Sequence, residues 1–162
     1  MLQLILIRHA KSSWETIVED KTRPLSNKGI QAAHTVSDVF KAFLPDRFII
    51  WSSPAKRACE TAVIFCQNMN VSYETIVKKE ALYTFDLAPL EENIKKCENK
   101  HQNLILFGHN DAITNFVNKF GDLSIENVPT SGVVIMEFDQ ESWADITNGR
   151  VVKQIYPRDL KI

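Results

Sequence analysis

LILIRHAKSSW, residues 4–14, is an apolar run that stops at an Arg-His pair and then turns polar. Leu2, Leu4, Ile5, Leu6 and Ile7 are interrupted only by Gln3, a stretch too short to span a membrane and too continuous for a half-exposed strand. The pattern predicts a central strand buried on both faces. Such a strand delivers Arg8 and His9 to its carboxyl end, where open α/β sheets form their ligand crevices.

The rest of the chain repeats this grammar. Phe48-Ile49-Ile50-Trp51 and Leu104-Ile105-Leu106-Phe107 are short apolar runs, each followed at once by a helix signal: Ser52-Ser53-Pro54 after the first, Gly108-His109-Asn110-Asp111 after the second. His109 therefore belongs at a second strand's carboxyl end, and Gly108 removes a side chain where backbone or ligand approaches closely. Asn110 or Asp111 can cap a helix from Ala112. Ser26 is placed to cap an earlier helix whose stripe is Ile30, Ala33, Val36, Val39, Phe40 and Phe43. A helix from about Pro54 to Met69 turns Ala55, Ala58, Ala62, Phe65 and Cys66 inward and sets Arg57 in its first turn, where free N–H groups and the helix dipole already favour an anion. Residues 71–77 read as a third strand and 87–97 as a helix. Val133–Phe138 is a further strand, and Asn148-Gly149 predicts a hairpin between residues 143–147 and 151–156. Residues 157–162 read as a tail.

Composition narrows the class. The chain has 162 residues, 44% hydrophobic and 24% charged, which suits one globular domain over residues 1–162. A net charge of -1 argues against a nucleic-acid partner held by a general basic field, so any anion site is local. Three cysteines, at 59, 66 and 97, have neither CxxC spacing nor the density of a disulfide scaffold. With no signal peptide or membrane span in the pattern, a cytoplasmic protein without a membrane partner is expected. His34 and His101 have no Cys or carboxylate at ligand spacing and are expected at the surface; no metal and no cofactor are expected.

Four segments in order, RHAKSSW (8–14), RPLSNKG (23–29), SPAKRACETA (53–62) and GHN (108–110), resemble the RHGxSxW, RPLTxxG, SPxxRAxxTA and GHNP motifs of the histidine phosphatase superfamily, also called phosphoglycerate mutase-like. The short length points to its SixA-type phosphohistidine phosphatase branch. The resemblance implies that His9 is a nucleophile that becomes phosphorylated, that Arg8, Arg57 and His109 hold the phosphoryl group, and that Ser12 joins the phosphate-binding set. It also implies a general acid between the third and fourth strands, with Glu80 and Asp86 as candidates and Glu91 or Glu92 set aside as solvent-facing. Asp111 stands where the motif has Pro, and Lys11 where many relatives carry Glu.

The residue types fit that chemistry. Guanidinium forks match phosphate oxygens, and a neutral imidazole offers one lone pair for in-line attack if its other nitrogen is pinned by a hydrogen bond. The expected architecture is α/β: a mainly parallel central sheet of roughly five or six strands, helices on both faces and an antiparallel edge. The expected function is a metal-independent phosphatase acting on phosphohistidine or a small phosphomonoester. A non-catalytic phospholigand-binding module and a mutase-type phosphotransferase are the alternatives. Whether the phosphorylated partner is a protein or a small molecule, and the oligomeric state, stay open at this stage.

Overall fold

The computed structural model describes residues 1–160. Ten principal elements follow one another: β1 (Leu2–Arg8), α1 (Asn27–Phe40), β2 (Ile49–Ser52), α2 (Lys56–Met69), β3 (Ile76–Lys78), α3 (Leu87–Lys95), β4 (Asn103–Gly108), α4 (Ala112–Phe120), β5 (Val133–Phe138) and β6 (Arg150–Ile155). The strands form one six-stranded sheet in the order β3-β2-β4-β1-β5-β6. β3, β2, β4 and β1 are mutually parallel, and β5 and β6 are added antiparallel, so the predicted mainly parallel sheet with an antiparallel edge is what forms.

Alternation along the strands explains why both faces are covered. Leu2, Leu4 and Leu6 of β1 join Leu104 and Leu106 of β4 and Val134 and Met136 of β5 against α3 and α4. Ile5 and Ile7, with Ile105, Phe107, Val133 and Ile135, point the other way into a second core with α1 and α2. A continuous apolar sequence is thus two interleaved period-2 patterns, one for each core.

Register then places the strand ends. β1 and β4 run side by side from Gln3 opposite Asn103 to Arg8 opposite Gly108. Beyond the strands the pairing continues, with the His9 N–H donating to the Gly108 carbonyl (3.1 Å) and the Ser53 N–H to that of Phe107 (3.0 Å). Three carboxyl ends therefore finish level, carrying Arg8-His9, Gly108-His109 and Ser52-Ser53.

The helices mostly follow expectation, with instructive exceptions. Ser26 caps α1 by accepting from the Gly29 N–H. The buried stripe of α1, however, is Gly29, Ala33, Val36, Ser37 and Phe40, while Ile30 and Val39 lie at its exposed flanks and Phe43 in the following turn is exposed. Gly29 is demanded by packing: a Cβ there would sit 2.1 Å from the Lys11 carbonyl oxygen, which also receives the Ser26 N–H. At Gly108 no backbone approaches closely among the described residues, since a Cβ would meet only Leu106 Cδ2 at 3.4 Å and Ile113 Cδ1 at 3.7 Å.

Two strand predictions need correction. Residues 71–75 do not join the third strand, because the Ser72 hydroxyl accepts from the Glu74 N–H and Thr75 bonds back to the Ser72 carbonyl, closing a 3-10 turn over Tyr73–Thr75. Residues 143–147 form no strand either. Trp143 is fully buried in a 3-10 turn with its indole N–H on the His101 carbonyl, and β6 pairs instead with β5 across a long connection. The Asn148-Gly149 turn signal itself is real, with Asn148 at φ 47°. Of the predicted tail, Pro157–Asp159 form a 3-10 turn and residues 161–162 lie outside the described residues.

The cysteines are free, and burial pushes the Cys66 and Cys97 thiols up to about 11. Among the described residues no helix is long and apolar enough to cross a membrane. His34 is exposed and His101 half-buried.

Candidate active site

The level strand ends bring His9 and His109 together, with ring centroids 5.2 Å apart and tilted by 58°. Arg57, two residues into α2, lies against both: its Nε is 3.3 Å from His9 Nε2 and its Nη2 is 3.5 Å from His109 Nδ1. Arg8 completes the group from the end of β1. Its Nη1 donates to the Val128 carbonyl (2.9 Å), and its Nε is buried without a partner among the described residues. Four residues drawn from positions 8 to 109 of the sequence thus meet because three parallel strands end together.

Hydrogen bonding settles the state of His9. Nδ1 lies 2.6 Å from the Ala10 carbonyl oxygen, which can only accept, so Nδ1 carries the proton and Nε2 the lone pair. Arg57 Nε, which can only donate, faces that lone pair. Burial lowers the His9 pKa to about 4, with help from the charges of Arg57, Arg8 and Arg23 and against the Ala10 bond. Burial likewise lowers His109 to about 3, assisted by His9, Arg57 and Arg8 and opposed by Asp20. Both imidazoles are neutral near pH 7. His109 Nε2 is 2.8 Å from Ser53 Oγ and its Nδ1 faces Arg57 Nη2, which can only donate, so Nδ1 carries the lone pair and Nε2–H donates to the Ser53 hydroxyl.

Three further predicted residues make no hydrogen bond to this group among the described residues. Glu80 is exposed and pairs with Lys21 at 2.9 Å. Asp86 is exposed at the start of α3 and does not cap it with its side chain. Among the described residues neither carboxylate bonds to Arg8, His9, Arg57 or His109, although Asp86 follows Phe85, whose ring centroid is 5.2 Å from that of His109. Ser12 is buried where the loop after β1 bridges to Leu25. Glu91 is not solvent-facing as expected; it is held between Lys95 of α3 (3.0 Å) and Lys119 of α4 (2.6 Å). Lys11 and Asp111 are exposed. Asn110 rather than Asp111 caps α4 with its side chain, accepting from the Thr114 N–H.

The carboxylate that does reach the group is Asp20. Its Oδ2 accepts from Arg57 Nη2 (3.0 Å) and from the Tyr83 hydroxyl, and its Oδ1 accepts from Arg23 Nη2 (3.0 Å). The Tyr83 bond, followed by those of Arg23 and Arg57, holds its carboxyl well below the usual carboxylate range despite some burial. Arg23, buried and with its Nε also without a partner among the described residues, lies 3.8 Å from the centre of the exposed Trp14 ring. Asp20 stands in the polar stretch 15–22, which has no period to reveal it. One usable signal was present: an acid three residues before the motif's Arg23, the spacing of a local ion pair.

Comparison with known proteins agrees with this architecture. The model of the histidine phosphatase superfamily (branch 1) matches residues 4–100, more than half of the chain. A structure of the protein histidine phosphatase SixA complexed with tungstate superposes with a TM-score of 0.83 at 19% identity, covering 99% of this chain and 100% of that one. A mycobacterial glucosyl-3-phosphoglycerate phosphatase bound to VO3 gives 0.70 at 13% identity over 96% and 100%. An uncharacterized protein of Mycobacterium tuberculosis is 26% identical over 153 residues, 88% of this chain and 93% of that protein. With the match running from the first strand through Arg57 and beyond α3, the chain belongs to the histidine phosphatase superfamily.

Proposed function

We propose that the protein is a phosphatase that works through a phosphohistidine on His9 and acts on phosphohistidine carried by another protein. One observation carries the reading: His9 is held neutral with its Nε2 lone pair facing Arg57, its Nδ1–H fixed on the Ala10 carbonyl. Around it, Arg8 and Arg23 each keep a buried Nε without a partner among the described residues. Such orphaned donors are costly unless an acceptor arrives, and a phosphoryl group supplies oxygens in the number and geometry that guanidinium groups accept.

In the first step His9 Nε2 attacks phosphorus in line, the P–Nε2 bond forms, and the bond to the leaving nitrogen breaks with its electron pair going to that nitrogen, so that a substrate ring protonated on its other nitrogen departs as neutral imidazole. Arg8 and Arg57 balance the charge on the phosphoryl oxygens. When a phosphoryl oxygen takes the place of the Arg57 contact, His109 shifts to the Nδ1–H tautomer, with the Ser53 hydroxyl donating to its Nε2, and donates to that oxygen. Ser12 is assigned to the same cradle. In the second step water attacks phosphorus, P–Nε2 breaks, and inorganic phosphate leaves with His9 restored as the neutral imidazole.

The choice of phosphohistidine follows from the leaving group. An imidazole departs readily, whereas an alkoxide needs a proton from a nearby acid, and among the described residues Glu80 and Asp86 are both exposed without a bond to the four central residues. They remain the acids to test for any ester turnover. The rim of Trp14 and Phe85, both exposed, suits a phosphorylated side chain presented on a protein surface.

Turnover of phosphohistidine and of a simple phosphomonoester, measured side by side in EDTA with wild type and His9→Ala, tests the proposal. We expect phosphohistidine hydrolysis through an acid-labile phosphate on His9, lost in the variant, and ester turnover lower by about 100-fold or more. Equal rates would favour a broad phosphatase and make Glu80→Gln and Asp86→Asn the next variants. A folded protein with neither activity nor adduct would favour a phospholigand-binding module.

A further inference from the structure

A guanidinium has two edges that can receive a two-pronged acceptor, the end-on pair Nη1 and Nη2 and the side-on pair Nε and Nη2. In Arg57 the end-on edge is fully occupied by one residue: Nη1 donates to the Asp20 main-chain oxygen (2.6 Å) and Nη2 to Asp20 Oδ2 (3.0 Å). The side-on edge is the one turned to the two histidines, at the longer distances of 3.3 and 3.5 Å. Asp20 is itself tied down from two further directions, by Arg23 on Oδ1 and by Tyr83 on Oδ2. Tyr83 stands over His109, with ring centroids 5.5 Å apart, and so links the loop before α3 to the same clasp.

We propose that Asp20 is a positioning residue: by holding the end-on edge of Arg57 it compels the phosphoryl group to be received on the side-on edge, between His9 and His109. This rests on the function proposed above and extends it. A carboxylate beside a phosphate site repels the ground-state anion, so its presence is useful only if it improves the geometry in which phosphoryl transfer occurs. Asp20 is three places before Arg23 in a loop whose Leu25 N–H is bonded to Glu60 of α2, so the clasp sits on the helix that carries Arg57.

The test is Asp20→Asn, with Tyr83→Phe as a second variant that removes one donor from Asp20 and leaves its contact with Arg57. Inhibition constants for inorganic phosphate and for vanadate are measured with kcat and KM on phosphohistidine. Vanadate, a mimic of the five-coordinate transition state, should bind Asp20→Asn at least about tenfold more weakly, while phosphate binds it no more weakly than wild type. kcat should fall at least about tenfold with KM within about threefold; Tyr83→Phe should move the same quantities the same way by about threefold. Parallel changes in vanadate and phosphate affinity, or kcat within threefold of wild type in Asp20→Asn, would overturn the assignment. Wild type that neither turns over nor binds vanadate sinks the proposed function as well. Wild type that does both while the variants match it sinks the role of Asp20 alone.

Discussion

His9 and His109 are held neutral by burial among positive charges, and this has a sign that can be measured. Because the folded-state pKa values are lowered to about 4 and about 3, the imidazoles stay unprotonated in the native protein well below pH 6.5. The acid limb of kcat/KM should therefore fall near pH 4, and a limb near 6.5 in the pH-rate profile would show that neither ring is so held. The same shift acts on folding. An unfolded chain takes up these protons around pH 6.5 and the native one only near 4, so stability is complete above pH 6.5 and declines as pH falls to 4. For His9 alone this amounts to about 3 kcal/mol, and urea unfolding across that range reads it. At Arg57, lysine keeps the charge but offers one ammonium in place of two edges that contact Asp20, His9 and His109. Arg57→Lys should lower kcat/KM by about 100-fold or more while leaving the melting temperature close to wild type.

Between elements, two glycines beside the strand ends make opposite predictions. Gly29 lies where α1 meets the loop after β1, and a methyl group there would strike the Lys11 carbonyl, two residues from His9. That oxygen belongs to the main chain and already accepts from Ser26, so it has little freedom to retreat. Gly29→Ala should destabilise by about 2–3 kcal/mol in denaturant titration and reduce turnover by shifting the His9 loop. Gly108 would meet only side-chain carbons at ordinary contact distance, so Gly108→Ala should cost less than about 1 kcal/mol. An activity loss in Gly108→Ala with stability intact would indicate that the bound phosphoryl group needs the space.

Across the whole molecule, a chain of net charge -1 concentrates Arg8, Arg23 and Arg57 at one end of one sheet, offset there by Asp20. Binding an anion at that end couples β1, α2 and the loops from residues 13–26 and 83–86 to a single event. Vanadate at about 100 times its dissociation constant should add about 2.7 kcal/mol to the stability. In a domain of this size the melting temperature should rise by about 5–10 °C. Arg57→Ala should abolish most of that rise, and His9→Ala should retain a part of it, because the arginines remain. Equal rises in wild type and Arg57→Ala would place the vanadate elsewhere.

Much of this was legible in one dimension, because the governing interactions are short-range. Alternation in β1, β4 and β5 sets which residues face which core, and Ser26 caps its helix through an N–H three residues away. Arg8, His9, Arg57 and His109 could each be placed at a strand end or helix start by local pattern. Where local bonds competed with a strand, as at Ser72 and around Trp143, the apolar pattern misled. Asp20 and Tyr83 could not be joined to Arg57 beforehand, since the bonds from Arg57 and Tyr83 to Asp20 span 37 and 63 residues and arise only when two aperiodic loops pack beside α2. The sequence by itself determined the sheet, its two covered faces and the four residues at its carboxyl end; tertiary packing alone decided which carboxylate meets the arginines, because that choice depends on loop positions that no periodicity encodes.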